Sequence, residues 1–298
     1  MLLWIHGVFL LFLGSTIASV HSIRKERKES ATLGFWLLVS GLALLFPLVL
    51  LRYREQVMHR GAFGPFEALI SLSLFTGILS LLPVLVLRIR QFPAFSSPLA
   101  AAFAIASAFF QRRVPRPDPI LESAFPYAHV FFALLAYTSL LMASLAAAIY
   151  LLQDRNLKRH IASAQRLPSL ADLDRTQFAF LILGQVFLTL LIVTGLVRKV
   201  QEYGQILRID AMVLFSIVTW IIYGLLVTGR AFSRIRGKKL AILSLFFLLL
   251  VLITAASQHV FPGWHAFLAG SPPLVAGTND TYFPSISQRV AGTQERAG

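Results

Sequence analysis

Ionisable side chains inside or at the mouth of a bilayer helix are costly unless paired or hydrated, so the few that interrupt long apolar runs are the first places to look for chemistry. Five such residues stand out: Glu67, His129, Asp210, His259 and His265. His129 lies in P-Y-A-H-V-F-F-A-L-L-A-Y, just inside an apolar run, while His259 and His265 close the last run with Pro262 and Gly263 turning the chain between them. Two imidazoles on different helices at one membrane face can bracket a haem iron or another metal through neutral ring nitrogens. The plainer alternative is that each is an interfacial histidine with its polar tip among the headgroups. Glu67, in F-G-P-F-E-A-L-I-S-L, and Asp210, in R-I-D-A-M-V-L-F, each fall where a helix would begin. There a carboxylate is favoured by the helix dipole and needs no further role, and Arg208 is a candidate partner for Asp210.

Other chemistries are absent from the sequence. With no cysteine, the chain forms neither disulfides nor thiolate metal sites, so a bound metal or haem has to be held by His, Met or carboxylate. It contains no Gly-rich phosphate loop, no H-E-x-x-H and no G-x-S-x-G elbow. No acid and base can be assigned to one cavity, and the expectation is that the protein is not an enzyme.

The elements that must position these residues are membrane helices. Hydrophobic residues make up 57% of the 298 positions and charged ones 13%, and the apolar residues are gathered into runs of about twenty. The runs cover 2–20, 32–51, 66–87, 96–110, 126–152, 177–197, 211–229 and 240–260, the fourth being short and rich in alanine. The fold class expected is all-α, a polytopic membrane protein with about eight transmembrane helices. The first run has no basic residue before it and Arg24, Lys25, Arg27 and Lys28 after it, the reverse of a cleavable signal peptide, which predicts a retained helix.

The net charge of +14 would suggest nucleic acid in a soluble protein. Here every Lys and Arg falls between apolar runs, so the excess reads as topology and lipid contact, with no nucleic-acid partner. If the runs alternate, the side of the membrane that holds Arg24 has 16 basic residues and the other 11, which predicts that both termini lie outside. Between the fifth and sixth runs, Ser169 followed by Asp172 and Asp174 suits a capped helix start. Residues 1–269 read as one transmembrane domain. Residues 270–298, rich in Gly, Pro, Ser and Thr, read as a disordered periplasmic tail. Trp4, Trp36, Trp220 and Trp264 are scattered, as interfacial or structural anchors are.

Four stretches in order resemble the cytochrome c assembly membrane family, the CcsA-like haem handlers and their shorter HemX- and YpjD-like members. They are F-E-A-L-I-S-L, A-H-V-F-F-A-L-L-A-Y, L-P-S-L-A-D-L-D-R and D-A-M-V-L-F-S-I-V-T-W-I-I-Y, and the resemblance spans residues 1 to 267. The family carries a tryptophan-rich outer segment, W-x-W-D-P-K-E, followed by a Thr-Trp and a Tyr. Asp210, Thr219, Trp220 and Tyr223 fall in that register. Leu207 and Ile209 stand where tryptophans are expected, and Ala211, Met212 and Val213 replace the proline, lysine and glutamate. The resemblance implies haem, of b type, as the cofactor, contacted by Asp210 and Trp220 and ligated by His129 and His265. His259 has no counterpart in the family pattern.

The expectation that follows is a bacterial inner-membrane protein of cytochrome c biogenesis or haem homeostasis, presenting haem at the periplasmic face. Its partners would be the bilayer and other maturation proteins or a haem-biosynthetic enzyme. A second class is a regulator that binds no haem and acts through protein partners. A third, a small-molecule transporter, needs a polar route at midplane, where the sequence offers Ser, Thr and Gln185 but no charge and no visible repeat.

Overall fold

The computed structural model describes residues 2–25, 27–58, 63–110, 124–160, 167–203, 211–232 and 235–260. These form eight α-helices: α1 (Leu2–Lys25), α2 (Lys28–Arg52), α3 (Pro65–Leu85), α4 (Pro93–Phe110), α5 (Ala124–Lys158), α6 (Leu170–Tyr203), α7 (Ala211–Ala231) and α8 (Lys238–Val260). A π-helical turn, Tyr53–Met58, continues α2. Six helices, α1 to α6, are long and apolar enough to cross a membrane, and the described residues contain no strand.

The apolar runs locate the helices but not their full extent. α5 continues past its run to Lys158 and α6 starts at Leu170, so much of the segment between the two runs is helical. Polar residues end the hydrophobic span without ending the hydrogen-bond ladder. Ser169 starts α6 as its composition suggests: its hydroxyl accepts the Asp172 N–H at 3.1 Å and donates to the Asp172 carboxylate at 2.7 Å. The short fourth run is a full helix whose alanines, Ala100, Ala101 and Ala104, are buried, because small residues let backbones approach where lipid removes the hydrophobic drive between helices. Pro47, Pro83 and Pro98 sit inside helices, as membrane helices allow.

Helices α1 to α4 pack as a closed ring in chain order, and α5 to α8 do the same. The sequence shows no repeat, but the packing has one. The first ring buries Ile5, Val8, Phe12, Leu38, Leu45, Phe66 and Ile70, and the second Leu140, Met142, Leu173, Phe180, Leu188 and Tyr223. The rings meet chiefly through α3 and α5. Toward one end of this seam Ile89 and Phe92 join the second core, with Phe92 against the ring of Phe180. Toward the other, Phe75 meets Phe131 edge to face and Tyr53 lies 6.0 Å from Tyr127.

Most helix hydroxyls donate to their own backbone: Thr16 to Phe12, Thr138 to Leu134, Thr176 to Asp172, Thr189 to Gln185 and Thr228 to Gly224. A few tie helices together. Ser15 donates to the Gly34 carbonyl at 2.7 Å, Ser73 to that of Ala100 at 2.8 Å, and Gln177 to the Ser244 hydroxyl at 2.7 Å.

Candidate functional site

His129 stands one turn into α5, at the end of the bundle that also carries Tyr53 and the start of α3. It is half-buried and turned toward α6, where its Nδ1 lies 3.0 Å from the Leu191 carbonyl and 3.5 Å from the Thr194 hydroxyl. The Thr194 hydroxyl itself donates to the carbonyls of Leu190 and Leu191, so the ring nitrogen facing this group is the protonated one. In the neutral ring the lone pair is then on Nε2. A histidine whose Nδ1–H is held by a carbonyl is oriented as a metal-ligating imidazole is.

The helices come this close because α6 has a glycine at the crossing. A Cβ at Gly195 would lie 2.8 Å from His129 Cε1 and 3.1 Å from Nδ1, so any larger residue has to displace the imidazole. Sequence reasoning names His129 but not Gly195, Leu191 or Thr194. A backbone acceptor leaves no side-chain signature, and the glycine is the trace that the cradle leaves in the sequence.

The other predicted site residues do not all fall on described structure. Asp210 and His265 lie outside the described residues, as do Trp264 and residues 270–298, and His259 is placed as part of α8 by its backbone alone. Trp220 is described: its indole N–H donates to the Thr189 hydroxyl at 2.9 Å, and Gln185 donates to its carbonyl at 3.3 Å. It therefore fastens α7 to α6. Tyr223, one turn on, is among the largest fully buried side chains.

Glu67 is 3% exposed and does more than start a helix. One carboxylate oxygen accepts the Gly64 N–H at 3.1 Å, the capping contact expected of its position, and the other accepts Arg52 from the end of α2 at 2.7 Å. The Arg52 guanidinium also covers the ring of Phe66, 4.8 Å from its centre. The opposite end of the bundle repeats the device. Asp174, near the start of α6, pairs with Arg230 at the end of α7, whose guanidinium lies 5.1 Å from the Phe178 ring. Asp174 also accepts the N–H of Gly237 at 3.1 Å, a glycine held at φ +59 in the turn before α8.

The described residues thus form an all-helical bundle with an oriented histidine at one end, and they hold no cluster of three or more metal-ligating side chains. The chain belongs to the cytochrome c assembly protein family, whose model matches residues 66–265. It is 30% identical over 145 residues to the inner membrane protein YpjD of Escherichia coli strain K12, a match covering 48% of this chain and 54% of that protein. It is 31% identical over 150 residues to the protein HemX of Brevibacillus brevis, covering 49% and 55%. An uncharacterised 28.8 kDa protein of Azospirillum brasilense is 28% identical over 162 residues, covering 52% and 60%. The matches thus span little more than half the length of these curated relatives. With six long apolar helices and this kinship, the chain is a multi-pass inner membrane protein.

Proposed function

We propose that this protein binds haem at the periplasmic face, with His129 and His265 as its axial ligands, and serves cytochrome c maturation or haem homeostasis as a carrier or accessory rather than as an enzyme. The observation that supports this reading is the hydrogen bond between His129 and the Leu191 carbonyl, an orientation of the ring that suits ligation through Nε2. The oriented imidazole supports a haem of b type as the group that would be held. Haem, if bound, would supply the iron and its electron-transfer chemistry, and this chain would supply an oriented imidazole. The second ligand is carried by the family register of His265, and Asp210 and Trp220 are proposed to line the haem from the same register. Both termini are assigned to the periplasm on the basic-residue bias, which puts the start of α5 on the side where c-type cytochromes are matured.

A second reading is a regulator that works through protein partners and holds no haem. The absence of tryptophan between Leu207 and Val213 favours it. Titration of detergent-purified protein with haemin separates the two. A saturable Soret band with one haem per chain supports the first reading; a titration indistinguishable from empty detergent overturns it in favour of the second.

A further inference from the structure

The seam between the two rings holds a cavity of about 440 Å³, within the size range of small-molecule sites. It is walled by Phe46 and Leu50 of α2, Leu74 and Phe75 of α3, and Phe131 and Leu134 of α5, with the Tyr53 and Tyr127 pair at its rim. Three of these wall residues are well exposed on the helix surfaces: Phe46 at 55%, Leu50 at 57% and Phe131 at 47%. On membrane helices such surfaces face lipid, so the cavity opens sideways into the bilayer between α2 and α5.

The lining restricts what can fill it. Besides the two rim tyrosines, the one polar side chain among the described lining residues is Ser71. Water needs two to four polar partners and finds too few. Left empty, the walls forfeit their dispersion contacts. Among the described residues no histidine, methionine or lysine lines the cavity to ligate iron, its two tyrosines stand at the rim rather than within, and His129 projects from the other side of α5 toward Leu191, so haem is the poorer fit. A quinone ring in the pocket would find one hydroxyl, that of Ser71, for its two carbonyls. What remains is hydrocarbon, and from Tyr53 down to Phe46 the pocket is about 10 Å deep along the helix. The rim suits an amphiphile: two tyrosine rings at headgroup depth, and the exposed cation of Arg54 next in the chain within the π turn, a feature common at functional sites.

We infer that this cavity holds one acyl chain of an anionic phospholipid, seated as a wedge between the two four-helix rings with its headgroup at Tyr53, Tyr127 and Arg54. The site is independent of His129 and of the haem reading. The test is native mass spectrometry of the full chain, extracted in mild detergent from membranes containing phosphatidylglycerol and phosphatidylethanolamine. Wild type is expected to retain one phospholipid per chain, phosphatidylglycerol at least threefold over phosphatidylethanolamine. Leu74→Trp, which fills the pocket, is expected to lower retention at least fivefold. Leu225→Trp, on an α7 surface that is 64% exposed, is expected to leave it unchanged. Should Leu74→Trp fail to fold, Ala128→Phe fills the same wall. Arg54→Glu is expected to abolish the headgroup preference while the chain stays bound. A lipid-free wild type, a porphyrin mass in its place, or equal retention in a folded pocket-filling variant overturns the proposal. An unchanged preference in Arg54→Glu overturns its headgroup part.

Discussion

Arg52, closing α2, and Glu67, opening α3, meet at 2.7 Å with their side chains only 14% and 4% exposed. Removing one partner of such a pair strands the other charge, and this dominates over the modest net value of the pair itself. Glu67→Gln is therefore expected to lower stability by about 2 to 3 kcal/mol, somewhat less than for a fully buried pair because Arg52 keeps some access to headgroups. The double variant Arg52→Met with Glu67→Leu should lose less than either single change. Thermal unfolding in detergent checks both, and equal losses for single and double variants would contradict the stranded-charge argument.

At the opposite end, Asp174 holds both Arg230 and the Gly237 amide, so Asp174→Ala should cost about 3 kcal/mol, more than Lys158→Ala at an exposed pair with Asp154. Gly237→Ala should also destabilise, because φ is +59 there and a Cβ would fall 2.8 Å from the Tyr150 hydroxyl. Unfolding midpoints of the three variants give the order, and a harmless Asp174→Ala would contradict the clamp.

The hydrogen bond from Gln177 to Ser244 is expected to matter little. Interhelical hydrogen bonds in membrane proteins average well under 1 kcal/mol, since the polar group finds other partners when the helices separate. Gln177→Leu should shift stability by about 1 kcal/mol or less. A loss of several kcal/mol, measured by denaturation in mixed micelles, would show that the buried side chain has a larger role.

Gly195 offers a test whose sign is informative. In a helix interior, alanine is favoured over glycine by about 1 kcal/mol. Yet a Cβ at 195 would press on His129 at 2.8 Å, so Gly195→Ala should destabilise. In a His129→Ala background the same change should stabilise, because the ring it strikes has gone. The double-mutant cycle in thermal unfolding reads this reversal, and additive effects would mean that the two residues do not touch.

The helices of this bundle are legible in the sequence, because a run of about twenty apolar residues matches the thickness of a bilayer and few water-soluble helices need one. Their pairing into two rings is not, since lipid is as apolar as a leucine face and erases the periodicity that marks a buried side in water. Ser169 is legible as a cap because the interaction is local. The capping role of Glu67 is equally local, but its pair with Arg52 joins residues across a helix turn and has no sequence spacing to mark it. His129 is legible as an isolated imidazole in an apolar run, whereas its cradle depends on a carbonyl and a glycine. Trp220 is read through the family register, and its bond to Thr189 shows a fastening role between α6 and α7. Asp210, His259 and His265 draw no support from described side chains, so the part of Asp210 and His265 in the site rests on the register alone.

The most direct measurement is the reduced-minus-oxidised absorption spectrum of the haem-loaded protein, comparing wild type with His129→Ala, His265→Ala and His259→Ala. Ligation by His129 and His265 predicts low-spin bis-imidazole bands in wild type and in His259→Ala, and their loss or conversion to high-spin features in each of the other two. A wild type that takes up no haem, or one whose spectrum survives His129→Ala unchanged, would contradict the assignment of His129 as the ligand.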